Sequence, residues 1–283
     1  DDLFQSDALA VSAATTGPPR LKTRARLRGL PANEFPLEPE ADGTPFTISA
    51  ETLRSVIRQV RHFVDREEVM PVLGGIQLQV RDGQLTAVAT DRKCLALAVE
   101  RLPLPDLEAV IELEVLDVLA RHLGQVETVE VILTEERVHF RLPNLAIYGR
   151  LLSGGFPNYQ QVLPQVSSTR AVVDRQPLLE LVSSLDRVGR QDERRISLEV
   201  TGNGDGSGQV SLSLDSPSLG HYRGQVPAKV DGEPVELLCF SDQLAQALRA
   251  LPGDRITLEL SAGQAPLTLR AGDSRQLIMP IAA

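Results

Sequence analysis

The chain has 283 residues, and its 29 lysines and arginines against 38 aspartates and glutamates give a formal net charge of −9. Hydrophobic residues make up 42% and charged residues 24%, a balance typical of globular proteins that argues against disorder over most of the chain. The length suggests about two domains of ~100–200 residues. The acidic balance argues weakly against a protein that coats nucleic acid through its overall charge.

Membrane and secretory signals are missing from the sequence. No apolar run approaches the ~18 residues that a membrane-spanning helix needs, and no secretory leader is visible. We therefore expect a cytoplasmic protein with no membrane partner. The two cysteines, Cys94 and Cys239, could form a disulfide, but two buried free thiols in a reducing compartment are the favoured interpretation.

Motifs for catalysis are also missing. The four histidines are scattered, without the spacing of metal ligands, and no phosphate-binding glycine loop or nucleophile motif occurs. The glycine-rich stretch 202–208 separates two strand-like runs, so we interpret it as a hairpin loop rather than a phosphate or calcium site. The sequence thus predicts no enzyme, no bound metal and no cofactor.

An internal repeat organises the chain. Residues 46–48 and 171–173 each form a short alternating run that leads into an amphipathic stretch, with Ser49 and Asp174 as N-cap candidates. The first stretch predicts a helix from about Ser49 to Asp65. Apolar residues at helical spacing mark the two helices: Leu53, Val56, Ile57, Val60 and Val64, and Leu178, Leu181, Val182, Leu185 and Val188.

The second half of each unit repeats in the same way. A short helix at 117–123 corresponds to one at 242–248, and each is followed by strands. Each unit of about 120 residues is therefore a doubled β-α-β-β-β half. This order predicts an α+β fold with antiparallel sheets and few helices.

The repeat also sets the expected domains. Residues 1–44 fit the tail of a third copy better than a frayed extension, because residues 29–36 resemble residues 152–157. We expect the truncated first domain at 1–44, the second domain with its linker at 45–164, and the third domain at 165–283.

Three motifs in this order resemble the bacterial DNA polymerase III β subunit, the sliding-clamp family. They are Val88–Asp91 followed by Leu95–Ala96, the linker Gly155–Pro164, and the ending Leu277–Ile281. The resemblance runs from about residue 22 to the end and implies the DNA-clamp fold. Clamps of this family have three similar domains per subunit, and two subunits close a ring with helices lining the hole and sheets outside.

The resemblance implies a function and partners. A clamp is a non-catalytic processivity factor that encircles double-stranded DNA without reading its sequence. The implied partners are the DNA polymerase III catalytic subunit, other polymerases, the clamp loader and mismatch-repair proteins, which bind through clamp-binding peptides. Self-association into a homodimer ring is implied as well.

Two sets of candidate residues follow from this resemblance. Arginines on the predicted helices, which would otherwise be a solvated face, would point at DNA phosphates: Arg54, Arg58, Arg61, Arg121, Arg187, Arg190 and Arg249. The partner-peptide pocket would be lined by Leu73, Thr90, Leu95, Pro157, Val162, Leu277, Met279, Pro280 and Ile281. For Leu73, Leu95 and Val162, a purely structural place in the core is an equal alternative.

The sequence departs from the family pattern around this pocket. Arg92–Cys94 stand where the family usually has glycine, an aromatic residue or histidine, and arginine. Gln160–Gln161 replace residues that are often basic, and the chain ends in Ala282–Ala283 instead of a basic residue and leucine. These changes leave open an alternative function, a diverged clamp-like module with altered partner binding.

Ring closure raises a further expectation. Arg187 stands on the third-domain edge where similar clamps offer apolar residues, and most of the first domain has no counterpart in this sequence. We expect that a first domain precedes this chain. The alternative is a trimeric ring of two-domain subunits, which also supplies six domains.

Overall fold

Two similar sets of strands and helices make up the part of the chain that the computed structural model describes, which is residues 42–67, 70–188, 194–216, 220–263 and 265–281. The first set is β1 (Pro45–Ser49), α1 (Ala50–Val60), β2 (Gly75–Arg81), β3 (Gln84–Thr90), β4 (Cys94–Arg101), β5 (Leu107–Glu112), α2 (Leu113–His122), β6 (Thr128–Leu133), β7 (Arg137–Leu142) and β8 (Leu145–Arg150). The second set is β9 (Thr169–Asp174), α3 (Arg175–Val188), β10 (Arg195–Gly202), β11 (Ser207–Ser216), β12 (Gly220–Gly232), β13 (Val235–Phe240), α4 (Ser241–Ala250), β14 (Arg255–Leu260), β15 (Leu267–Ala271) and β16 (Ser274–Ile278).

Each set has the order β-α-β-β-β twice, as the repeat predicted. The paired strands are all antiparallel, so the predicted α+β class is confirmed. Gly202 and Ser207 bound the glycine-rich loop as the end of β10 and the start of β11, which agrees with a hairpin. The predicted tail of a third repeat at residues 1–44 lies almost entirely outside the described residues.

The strands form two sheets. One has the order β1-β6-β7-β8, and the other has the order β13-β10-β11-β12-β9-β14-β15-β16-β4-β3-β2-β5. The twelve-stranded sheet crosses from one repeat to the other where β16 pairs with β4, with Leu277 opposite Leu95. The described residues from 43 to 281 accordingly form one compact unit, and the predicted boundary near residue 164 stays a prediction.

Alternation along the strands separates two faces of the large sheet. Ile76, Leu78 and Val80 of β2 join the main hydrophobic core, which also contains most of the buried apolar residues of the four helices. Leu95 and Leu97 of β4 point to the opposite face, where they form a separate apolar cluster. Helices therefore cover one face of the sheet, and the other face, which carries the cluster of Leu95 and Leu97, is not covered by them.

Helix α1 begins as predicted but ends earlier. The Ser49 hydroxyl accepts a hydrogen bond from the Thr52 amide at 3.4 Å, a side-chain N-cap. The expected helix to Asp65 is wrong at its C-terminal end, because a 3-10 turn at Arg61–Phe63 follows Val60. The Asp65 amide then donates to the Leu73 carbonyl at 3.0 Å, which directs the chain away from the helix axis. Within the described residues, no helix is long and apolar enough to cross a membrane.

The turn between β3 and β4 is held by its own side chains. One Asp91 carboxylate oxygen accepts from the amides of Lys93 (2.9 Å) and Cys94 (2.6 Å). The Thr90 hydroxyl donates to the Cys94 carbonyl at 2.7 Å. Arg92 lies at φ 73°, in the left-handed region that residues other than glycine rarely adopt.

Ion pairs accompany this strained position. The Arg92 Nε lies 3.3 Å from an oxygen of the buried Asp65 carboxylate, and its Nη2 lies 3.1 Å from the Glu67 carboxylate. We infer that these contacts offset the backbone strain, which costs about 1–2 kcal/mol for a residue with a Cβ.

Two substitutions of Arg92 separate strain from ion pairing. Both Arg92→Gly and Arg92→Ala remove the ion pairs, but only alanine keeps the Cβ that opposes a positive φ. We expect Arg92→Gly to have a free energy of unfolding about 1 kcal/mol higher than Arg92→Ala, measured by urea denaturation. Lys93, which is outside the positive-φ region, is the matched control: Lys93→Ala should be at least as stable as Lys93→Gly. Arg92→Ala matching or exceeding Arg92→Gly would contradict the strain.

Candidate functional site

An apolar cavity of about 190 Å³ lies where the two repeats join, on the sheet face that the helices leave uncovered. Its floor is made by Leu95 of β4 and Leu277 of β16, which are cross-strand partners and are both buried. Leu73, from the 3-10 turn Pro71–Gly74, adds a third buried wall. The floor is therefore complete only when both repeats are in place.

The linker between the repeats forms the rim. Phe156 and Tyr159 pack against the apolar cluster of the outer sheet face, which fixes the linker over the strands. The Asn158 side chain accepts from the Gln160 amide at 3.2 Å and so begins the short 3-10 helix Tyr159–Val162. Burial raises the pKa of Tyr159, so its hydroxyl stays protonated at neutral pH.

Seven of the nine residues proposed for the pocket line this cavity: Leu73, Thr90, Leu95, Pro157, Val162, Leu277 and Met279. Leu73 and Leu95 are buried and so serve the core as well, whereas Val162 is 54% exposed and is not a core residue. Pro280 and Ile281 follow Met279 but are not among the lining residues. The Ile281 amide instead donates to the Leu238 carbonyl at 2.8 Å, which ties the chain end to the second repeat.

The lining includes residues that the pocket prediction did not assign: Met70, Arg92, Lys93, Cys94, Asn158 and Tyr159. The amino-acid composition could have indicated one of these residues, Met70. The chain has only two methionines, and both Met70 (41% exposed) and Met279 (44% exposed) stand at this cavity. Methionine side chains adapt to differently shaped apolar partners, so their place at the rim suits a binding site for several ligands.

A buried polar contact lies behind the cavity. Gln276 of β16 is fully buried, and its amide donates to the Gln59 carbonyl of α1 at 2.9 Å. Its side-chain oxygen lies 3.1 Å from His62 Nε2. Burial lowers the His62 pKa to about 4, with a smaller opposing effect of the Gln276 hydrogen bond, so the ring is neutral at pH 7. This contact fixes β16 to α1 without a buried charge.

Both cysteines are free and buried, as the sequence favoured. Burial raises the pKa of Cys94 far above its usual range and that of Cys239 to about 12. Neither thiol is therefore ionised at neutral pH, and neither is a ready nucleophile.

The opposite face of the unit carries the helices in a row. α2 packs beside α1, α1 beside α4 across the two repeats, and α4 beside α3. The Arg175 guanidinium, at the start of α3, donates to the carbonyls of Gly253 (2.6 Å) and Leu248 (3.2 Å). This contact satisfies a carbonyl at the C-terminal end of α4 and holds the last two helices together.

The predicted DNA-facing arginines have different surroundings on this row. Arg54, Arg58, Arg121, Arg187 and Arg249 are all exposed. Arg61 instead makes a two-point ion pair with Asp117 of α2, at 3.0 and 2.7 Å, so its charge is compensated. Arg190 lies outside the described residues.

The positions of four of these arginines have a structural explanation in the helices themselves. Each of the four helices has an arginine in its last turn, namely Arg58, Arg121, Arg187 and Arg249. Cations at that end interact favourably with the helix dipole. Arg54, in the middle of α1, has no such explanation and is therefore the most informative residue of the set.

Comparisons with known proteins agree with this architecture. Residues 47–158 match the family described as DNA polymerase III beta subunit, central domain. The beta sliding clamp of Bacillus subtilis is 28% identical over 272 residues, which is 92% of this chain and 70% of the relative. That of Synechocystis is 25% identical and covers 91% of this chain and 71% of the relative.

Solved structures give the same result. The DNA polymerase sliding clamp from Bacillus subtilis superposes with a TM-score of 0.85 at 26% identity, over 93% of this chain and 70% of that chain. The beta subunit from Thermotoga maritima, at 22% identity, shares the fold with a TM-score of 0.85 over 99% of this chain and 75% of that chain. With its three sequence motifs gathered around one cavity and its helices on the opposite face, the chain is similar over 92% of its length to a beta sliding clamp, and residues 47–158 match the central domain of the DNA polymerase III beta subunit.

Proposed function

We propose that this chain is part of a sliding clamp that encircles duplex DNA and tethers polymerases to it through the apolar cavity. The observation that carries the proposal is the separation of two surfaces on opposite faces of one continuous sheet. The arginine-bearing helices occupy one face, and the cavity at Leu95 and Leu277 occupies the other. A partner bound to the outer face would not compete with DNA on the helical face.

On the helical face, the proposed contact is with phosphates and not with bases. Exposed arginines attract the DNA backbone without reading its sequence. Acidic side chains such as Glu51 and Glu114 also lie on these helices, which keeps the attraction loose. A loose contact permits sliding, whereas tight base-specific bonds would hold the ring at one site.

On the outer face, the proposed ligands are short apolar peptides. Such sites are concave, mostly apolar and placed at domain junctions, as this cavity is. We propose the DNA polymerase III catalytic subunit, other polymerases, the clamp loader and mismatch-repair proteins as the sources of these peptides. The protein itself would act in the cytoplasm as a non-catalytic accessory subunit.

Ring formation requires sheet edges that can pair with another domain. β8 holds the position in the first repeat that β16 holds in the second, yet among the described strands only β7 pairs with it. Residues 220–227 of β12 pair with β11 and correspond to β4 of the first repeat. β4 pairs with β16 along its side away from β3, and the corresponding side of residues 220–227 is the second edge. We propose that these two edges join neighbouring domains, with a first domain before β1, the second at 45–164 and the third at 165–283. Two subunits would then close the ring, and the trimeric ring remains the alternative stoichiometry.

The likeness to beta sliding clamps extends over 92% of the chain. It favours the clamp over the diverged interaction module that the changed residues near the pocket had suggested. Those changed residues instead bear on which peptides the cavity prefers.

The DNA-facing role is tested by reversing charge on α1. We expect Arg54→Glu with Arg58→Glu to shorten retention on circular DNA several-fold and to reduce the salt dependence of binding by roughly two phosphate contacts. Retention is measured after loading on a nicked plasmid and gel filtration at increasing salt.

The control for this experiment changes charge equally on the other face. Arg81→Glu with Arg101→Glu alters exposed arginines of β2 and β4 and should leave retention close to that of the unaltered protein. Equal retention of the α1 variant and the unaltered protein would count against the placement of DNA on the helices.

The peptide-binding role is tested at the cavity rim. Met279→Ala with Met70→Ala removes exposed apolar surface of the lining that a bound peptide would cover, so we expect about five- to tenfold weaker binding. Fluorescence anisotropy with a labelled clamp-binding peptide from the organism's own polymerase III catalytic subunit measures the dissociation constant. Thermal unfolding should show that the variant stays folded, and an unchanged dissociation constant would exclude the rim from the site.

A further inference from the structure

A second cavity, about 510 Å³ in volume, adjoins the apolar one. Unlike the first, it is lined largely by charged side chains, from the 3-10 turn after α1, the segment that follows this turn, the β3–β4 turn and α4. Its lining residues are Arg61, His62, Val64, Asp65, Arg66, Glu67, Asp91, Lys93 and Gln246. We call this cavity the charged cleft.

Most charges in the charged cleft already have partners. Asp65 and Glu67 hold Arg92. One Asp91 oxygen accepts two backbone amides of its own turn. Arg61 is paired with Asp117, and the His62 ring, whose pKa burial lowers to about 4, is neutral at pH 7.

Two cations of the cleft have no such partner. Arg66 and Lys93 are both exposed, and no carboxylate among the described residues lies within ion-pair distance of either. The cleft therefore offers two positive charges to a ligand, although its lining contains equal numbers of acidic and basic residues.

Lys93 connects the cleft to the apolar cavity, because it lines both. Its backbone carbonyl accepts a hydrogen bond from the Met279 amide at 3.0 Å, so it stands directly beside the rim residue Met279. A peptide held by apolar side chains in the cavity would place its next residues on one side over Lys93 and toward Arg66.

We propose that the charged cleft is a second subsite for the same peptides, and that it selects segments with acidic side chains on one flank of the apolar anchor. This inference rests on the proposed peptide-binding function and deepens it. Isolated acidic side chains fit the cleft better than DNA does. Duplex DNA carries a negative charge about every 1.7 Å along its axis, and the Asp65, Glu67 and Asp91 carboxylates would repel such a continuous polyanion.

Three synthetic peptides with the same apolar residues test the proposal. One carries two aspartates on the N-terminal flank, one carries them on the C-terminal flank, and one has asparagines on both flanks. Because exposed and partly desolvated charge pairs contribute modestly, we expect one aspartate peptide to bind about three- to tenfold tighter than the asparagine peptide. The other aspartate peptide should show little gain, and the preference should shrink as salt is raised.

Charge reversal in the cleft provides the matched variants. For each variant, the ratio of dissociation constants for the aspartate and asparagine peptides cancels any change in the apolar anchor. We expect Arg66→Glu with Lys93→Glu to abolish or invert this ratio. Arg81→Glu with Arg101→Glu, an equal change at exposed arginines of β2 and β4 outside both cavities, should preserve it.

The possible outcomes test the charged cleft and the peptide-binding function separately. Equal affinities for all three peptides, or the same gain from either flank, would overturn the charged cleft as a subsite while leaving the apolar pocket intact. Loss of DNA retention in the cleft variant with an unchanged peptide ratio would assign Arg66 and Lys93 to DNA and overturn the proposal as well. No binding of any peptide would overturn the peptide-binding function itself.

Discussion

The pairing of β16 with β4 is the interaction on which the rest of the structure depends. It is short, with only Arg275–Ile278 opposite Cys94–Leu97, yet it converts two similar repeats into one continuous sheet. The same pairing places Leu277 opposite Leu95 and so assembles the cavity floor from segments far apart in sequence. Gln276, the neighbour of Leu277 in β16, points to the other face, where its side-chain amide donates to the Gln59 carbonyl of α1. The register of β16 against β4 therefore determines both the cavity on one face of the sheet and the contact with α1 on the other.

Under the proposed function, this arrangement explains how an acidic chain can face DNA. The net charge of −9 describes the whole molecule, whereas the attraction for phosphates depends on the exposed side chains of one face. Arginines recur in the last turn of each helix, where they also complement the helix dipole. Under the proposed function, helix stability and attraction for DNA favour the same residue at the same positions, and the repeated fold provides four such positions.

The repeat made much of the fold predictable from sequence. Alternating strands and N-capped amphipathic helices are local patterns, and their recurrence gave the β-α-β-β-β order and the antiparallel sheets. The cavity was largely predictable for another reason: the motifs around Thr90, Pro157 and Leu277 come together as the resemblance implied. Long-range contacts were not visible. The Arg61–Asp117 ion pair and the bond from Asp65 to Leu73, which ends the helical segment early, depend on tertiary neighbours that no local pattern encodes.

The changed residues at the β3–β4 turn show what the structure adds. In sequence, Arg92, Lys93 and Cys94 could only be described as departures that put partner binding in doubt. In the structure, Arg92 occupies a left-handed position supported by two carboxylates, Lys93 stands between two cavities, and Cys94 is buried. The substitutions thus keep the turn and change the charge at the rim of the pocket, so they bear on selectivity more than on the existence of the site.

The central claim is that the protein holds DNA by encircling it and not by affinity. Retention on a nicked circular plasmid, compared before and after a single cut that makes the plasmid linear, tests this claim most directly. Protein loaded by its clamp loader should stay on the circle through gel filtration and should be lost from the linear form by sliding off the ends. Equal retention on circular and linear DNA would contradict it.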